Sequence, residues 1–293
     1  MRIRIIFILR NKGSYVPFHH QYLLAQLIKG ILVKGGEEKF INSRLYNFSG
    51  LKGQTKISRN GLHFYSSRVT LVLSATNKDF VDYFLKHLFA FPQIDIGTMN
   101  LIPEAVEIED KPDFTDAMKY VCISPLVLVE PSFSDDRGKK FIIPTSDTFS
   151  DLLYESIMIR MEKSGVFTSE QIAEFYKFQL VPDKNYLLRI KEQQKKFARI
   201  YPLYDQDVKY EVRGYTFPFV LYAAKEVQEF IFNNGLGLFA HKGFGMLDLA
   251  TADPGKGTSK YEFEGAPASN NREPGVREVR RREGGSRDRE TSL

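Results

Sequence analysis

The chain has one cysteine, Cys122, and no tryptophan. A single thiol excludes an intrachain disulfide and any zinc site built on several cysteines, and it fits a reducing interior. Long hydrophobic runs are also missing. The opening MRIRIIFILR offers only the eight residues Ile3 to Arg10, interrupted by Arg4, too short and too charged for a membrane span or a secretion signal. The expectation is a soluble cytoplasmic protein without a membrane partner. Neither HxH nor CxxC occurs, and the five histidines, His19, His20, His63, His87 and His241, do not fall at ligand spacing. No metal and no cofactor is therefore expected.

What is present is apolar material and a mild excess of positive charge. At 293 residues and 43% hydrophobic composition, the chain can bury one large or two medium cores, which favours two domains. The formal net charge of +5 inclines it towards anionic partners without identifying them. Twenty-four Phe and fifteen Tyr would stack unpaired bases where exposed, although most such rings serve as core.

Periodicity divides the chain in two. Ile3–Leu9 reads as a strand, and Pro17 opens a helix through about Val33, with Leu24, Leu27, Ile28 and Ile31 at helical spacing. Arg44–Phe48, Lys56–Phe64 and Val69–Ala75 read as strands, Lys78–Phe91 as a second helix and Asn100–Glu109 as a closing strand, after which KPDF marks a linker. A second pass starts at YVCISPLVLVEP. DTFSDLLYESIMIRMEKSG is a helix with Asp147 or Thr148 as N-cap and Gly165 beyond its end. Segments Glu170–Leu180, Tyr186–Lys191, Lys196–Tyr204 and Tyr210–Val220 follow, then a helix to about Asn233 and a last strand Met246–Ala250. The expected organisation is an α+β chain of two βαββαβ units, residues 1–112 and 113–250. Residues 251–293, poor in apolar side chains and with nine Lys and Arg against eight Asp and Glu, read as a disordered tail. Its Arg280–Arg282 cluster could touch RNA, but a solvated mixed-charge tail is the simpler reading.

Between the last helix and the last strand lies GLGLFAHKGFG. Gly235, Gly237, Gly243 and Gly245 flank His241 and Lys242, an arrangement suited to a cradle in which backbone amides and a cation hold phosphate oxygens. The same glycines suit a chain-reversing turn. The loop is neither GxxxxGK[ST] nor a GxGxxG that opens a helix.

The helix opening VPFHHQYLLAQLI, the strand YNFSGLKG and the near-terminal GLGLFAHKGFGMLDL together resemble the CRISPR repeat-processing endoribonucleases of the repeat-associated RNA-processing superfamily, over about residues 1–250. The resemblance implies a tandem ferredoxin-like, RRM-like fold with a C-terminal glycine-rich loop. It further implies cleavage of CRISPR precursor RNA within repeats, to make guide RNAs for antiviral defence. Metal-independent cleavage of this kind uses the substrate's 2′-OH as nucleophile and leaves 2′,3′-cyclic phosphate and 5′-OH ends. The protein must align that oxygen, remove its proton, stabilise the phosphorane and protonate the leaving oxygen. The implied partners are CRISPR repeat RNA and a CRISPR effector complex. The alternative is a catalytically weak protein that holds repeat RNA.

Family members carry a Tyr or Lys on the first helix and a His just after it. Lys29 matches the first position. Near the second stands Arg44, and no histidine occurs between His20 and His63. The catalytic candidates are thus Lys29, His20 and Arg44. RNA contacts fall to Lys52, Gly235, Gly237, His241, Lys242, Gly243 and Gly245. At about 100° per residue His20 lies within the apolar stripe of its helix, whereas His19 lies with Tyr22, Gln26 and Lys29 on the opposite side. His20 is accordingly the buried one of the pair, which also suits a core or capping residue.

Overall fold

Strand Arg2–Leu9 alternates so that Ile3, Ile5, Phe7 and Leu9 are all buried on one face. It forms the centre of an antiparallel sheet, with Arg68–Ala75 on one side and Met99–Glu109 on the other, in registers set by Ile5 opposite Leu71 and Val106. Tyr46–Phe48 flanks Arg68–Ala75. Helices Gln21–Gly35 and Lys78–Phe89 cover the buried face with Leu24, Ile28, Ile31 and Leu32 and with Phe80, Val81, Phe84, Leu85 and Leu88. Gly36 ends the first helix in the left-handed conformation, and the Asn77 side chain caps the start of the second. The computed structural model describes residues 1–130, 140–205, 208–250 and 257–266, so the Arg280–Arg282 cluster lies outside the described residues.

The second half repeats this order of strands. Its sheet runs Phe178–Pro182, Pro218–Ala223, Ala117–Cys122, Leu247–Leu249, so that in both halves the first and third strands in sequence sit at the centre. Helices Phe149–Ser164 and Lys225–Asn234 supply Leu153, Ile157, Met161, Val227, Phe230 and Ile231 to a second core. The molecule is therefore α+β with antiparallel sheets. A hairpin of Ala198–Asp205 and Val208–Tyr215 projects from the second half. Its Tyr201, Leu203 and Val212 close a small third core over Val127 and Phe244.

Several boundaries differ from the sequence reading, for local reasons. Thr168 and Gln171 form a reciprocal capping box, which makes Ser169–Glu174 helical and leaves only Phe178–Pro182 as strand. Tyr186–Lys191 lies within helix Lys184–Glu192, started by the Asp183 side chain accepting from the Tyr186 amide. The apolar run at Tyr120 is continuous strand only as Ala117–Cys122, because Ser124 and Pro125 turn the chain towards the glycine loop, and beyond them it pairs through isolated bridges of Leu126 with Tyr215 and Val129 with Phe141. The tail re-enters the fold. Thr258–Lys260 pairs with the edge of Met99–Glu109, Tyr261 donates to Asp82 at 2.5 Å, and Phe263 meets Phe89 at 4.9 Å. Charge alone had hidden that these two rings have an apolar seat.

Candidate functional site

Among the described residues three hydrogen bonds pin the two halves, two of them buried and one part-buried. Asn47 Nδ2 donates to the Phe244 carbonyl at 2.8 Å, Asn234 Nδ2 donates to Thr76 Oγ1 at 2.6 Å, and Arg2 Nη1 donates to the Leu247 carbonyl at 2.7 Å. Arg2 also pairs with Glu109 at 3.0 Å and lies 4.7 Å over the Phe232 ring. Beside this joint opens a cleft of about 870 Å³. The turn after the first helix supplies Lys39, Ser43 and Arg44 to it. Helix Phe149–Ser164 supplies Glu155, Arg160 and Lys163, and the glycine-rich loop supplies Phe239, His241 and Lys242. Glu155 is the one carboxylate among these described lining residues, so the cleft is biased towards anions.

Arg160 shapes one wall. Its guanidinium is buried and donates to the carbonyls of Asn234 at 2.6 Å, Gly235 at 2.8 Å and Gly237 at 3.3 Å. Burial pushes its pKa down to about 10, which leaves it charged at neutral pH. Sequence reasoning passed over this residue, although a signal was there. At about 100° per residue Arg160 stands only about 20° from Leu153, inside the apolar stripe of its own helix. Lys39, Asn47 and Lys163 were also missed, and of these only Asn47, a polar residue inside a strand, carried a hint.

The glycines serve close packing. All four are buried with positive φ. A Cβ on Gly243 would stand 2.5 Å from the Phe48 ring, and one on Gly245 would stand 1.8 Å from the Leu236 carbonyl oxygen. The amides of Leu236, Leu238, Lys242, Gly243 and Gly245 already donate to carbonyls of the chain. The open amide cradle expected from the sequence is therefore largely closed, because the loop uses its donors to build the joint. What it offers to solvent is the half-exposed shoulder Leu238–Lys242. Lys242 Nζ donates to the Tyr204 carbonyl at 2.9 Å, tying that shoulder to the hairpin, and His241 approaches Tyr46 with ring centroids 6.5 Å apart.

The first-half candidates separate. Arg44 is exposed and lines the cleft. Lys29 is exposed and donates to the Ile41 carbonyl at 2.6 Å, beside the turn leading to Arg44 but outside the lining. Lys52 also lies outside it. Burial lowers its ammonium pKa, Asp248 and Glu109 pull it up, and Arg2 and Arg4 push it down.

His20 is engaged at both nitrogens. Nδ1 stands 3.1 Å from the Pro17 carbonyl, and Nε2 accepts from the Leu51 amide at 3.0 Å. That fixes Nδ1 as the protonated nitrogen of a neutral ring. Burial pushes its pKa down to about 4, against the Pro17 bond, which raises it. The expectation that it is the buried member of the pair is met, and it stands as a bridge between helix and strand rather than within reach of the cleft. His19 is half-buried against Tyr201, with ring centroids 4.4 Å apart, and burial followed by Arg199 lowers its pKa. Among the described residues no group of three His, Cys, Asp or Glu side chains gathers in metal-binding geometry, and no helix is long and apolar enough to cross a membrane.

Residues 108–249 match the protein-family model described as CRISPR associated protein Cas6, C-terminal. A Pyrococcus furiosus protein named CRISPR-associated endoribonuclease-like protein Cas6, an assignment its own name marks as provisional, is 21% identical over 257 residues. The match takes in 85% of this chain and 98% of that protein. Among solved structures, a Cas6-related protein from Pyrococcus furiosus superposes with a TM-score of 0.71 at 20% identity, covering 86% of this chain and 99% of its own. A RAMP protein described as binding different RNA substrates superposes equally well, with a TM-score of 0.71 at 19% identity over 85% of this chain and 99% of its own. At these identities the superpositions speak to the fold.

Proposed function

We propose that this chain, which matches the Cas6 C-terminal family model over residues 108–249, is a member of that family that binds CRISPR repeat RNA in the cleft between its halves and cuts it without metal. The strand order shared by the two sheets supports reading them as paired ferredoxin-like units that offer one groove. The observation that carries the functional reading is the composition of the cleft. Arg44 and Lys39 from the first half face His241 and Lys242 from the second, with Lys163 on a third side. A phosphate entering there meets cations from both halves, so RNA binding depends on the joint that holds the two walls together.

In the proposed reaction the substrate 2′-OH attacks the adjacent phosphorus, leaving a 2′,3′-cyclic phosphate and a 5′-OH. Arg44 and Lys242 stabilise the charge that grows on the phosphorane oxygens. Lys29, held at the Ile41 carbonyl, steadies the turn that carries Arg44. His20 ties the helix start to the segment that follows Tyr46–Phe48. Of the five histidines His241 alone lines the cleft, and we assign it the proton transfer, with RNA contact as its other role. Gly235, Gly237, Gly243 and Gly245 act by shaping the loop. Lys52 contributes long-range positive charge.

The test is incubation with end-labelled repeat RNA in excess EDTA, followed by mapping of the cut and its end chemistry. A single cut within the repeat bearing a cyclic phosphate is expected, and Arg44→Ala should slow it by about 10²- to 10³-fold. RNA bound tightly and left intact would favour a holding protein. That second reading has its own support, since Lys29 and His20 are both occupied by contacts within the chain. An absence of binding would overturn both.

A further inference from the structure

The first acidic residue of the chain is Glu37, and six Lys and Arg precede it. Helix Gln21–Gly35 therefore carries no carboxylate, and one of its faces is open. Tyr22, Gln26, Lys29 and Val33 fall within an arc of about 60° at the spacing of an α-helix. Gln26 and Lys29 are exposed, Val33 is 53% exposed and Tyr22 is half-exposed. The hairpin stands at one end of this face. Tyr204 meets Tyr22 with ring centroids 5.0 Å apart, and Arg199 is close enough to His19 and Tyr201 to shift both. At the other end Lys29 reaches the Ile41 carbonyl, and Arg44 follows three residues later at the mouth of the cleft. Lys242, which holds the Tyr204 carbonyl, also lines that cleft. The face thus runs from a tyrosine pair, past an amide, to a lysine, and opens onto the proposed site.

We propose that this face is a binding track for unpaired RNA: a base stacks on the Tyr22–Tyr204 pair, Gln26 hydrogen-bonds along the strand, and Lys29 and Arg199 carry its phosphates towards or away from the cleft. The proposal rests on the RNA-binding reading above and adds to it a route and a preference for single strands. Stacking on tyrosine tolerates any base, so the track contributes affinity and direction while the repeat's identity is read elsewhere. A duplex, whose bases are already stacked, gains nothing from the tyrosines.

The test compares fluorescence anisotropy titrations of repeat RNA, a short unstructured RNA and a blunt RNA duplex against the full chain. Tyr22→Ala is expected to weaken the unstructured RNA roughly fivefold or more, leave the duplex unchanged, and be rescued by Tyr22→Phe. Gln26→Glu, which alters an exposed helical position and no packing contact, is expected to weaken both the unstructured RNA and the repeat by placing a negative charge on the track. If Tyr22→Ala and Gln26→Glu bind unstructured RNA like wild type, or if Tyr22→Ala weakens duplex and single strand equally, the track is wrong while the cleft reading stands. If wild type binds none of the three RNAs, the cleft reading falls and the track with it.

Discussion

His20 illustrates how one side chain can be read correctly and still be misassigned. Helical spacing puts it on the core side, and it is buried there. The sequence could not reveal that its Nε2 would accept from the Leu51 amide, thirty-one residues on, because that bond depends on where the intervening strand and turn are packed. Its consequence is measurable. With the folded pKa near 4 and the unfolded value near 6.5, the unfolded chain binds more protons between those limits. The stability due to the neutral ring is thus fully present above about pH 6.5 and is lost as the pH falls towards 4, by roughly 3 kcal/mol in all. Denaturant titrations at several pH values should show that slope, and His20→Ala should flatten it while lowering stability at pH 7 by about 1–3 kcal/mol through the orphaned Leu51 amide. An unchanged slope in the variant would mean that another group titrates.

At the scale of elements, the glycine-rich loop was legible as a feature and not as a device. Glycines at positive φ with a cation between them fit a phosphate seat or a tight joint equally well, and the sequence does not contain the choice. The choice is made by residues far away in the chain, Asn47, Phe48 and Arg160, which take up the Cα faces and the carbonyls of the loop. Most helices and strands were readable because each rests on its own periodicity. Among the exceptions were Ser169–Glu174 and Lys184–Glu192, short helices set by side-chain caps more than by an apolar stripe. Lys56–Phe64, read as one strand, is a hairpin of Thr55–Ser58 and Gly61–Phe64, and Tyr210–Val220 is divided between Val208–Tyr215 and Pro218–Ala223, which lie in different sheets. The role given to Arg160 makes a prediction at this scale. Arg160→Met keeps the volume of the stem and removes three hydrogen bonds, leaving buried carbonyls unpaired. It should destabilise the protein by about 2–4 kcal/mol and weaken repeat RNA more than Lys163→Met does, since it releases the loop that carries His241 and Lys242. Thermal unfolding and anisotropy together check this, and equal RNA affinity in the two variants would contradict it.

At the scale of the whole molecule, the two sheets share one strand order, and the joint between the halves consists of a few polar pins beside a basic cleft. The order could be anticipated from the alternation of strands and helices. The joint could not, because Arg2 and Asn234 look unremarkable until the halves meet, and Asn47, though a polar residue inside a strand, does not name its partner. The returning tail is a similar case. Thr258–Lys260 closes the free edge of Met99–Glu109 beyond the end of the family match, so the first half is completed by residues that composition had assigned to solvent.

The central claim is that RNA lies between the halves, and ultraviolet cross-linking of repeat RNA to the intact protein, with the attached peptides identified by mass spectrometry, tests it most directly. The account predicts cross-links in residues 39–45 and 238–242, from both walls of one cleft, with further ones at Tyr22 and Tyr204. Cross-links confined to one half, or lying on the far side of either sheet, would contradict it.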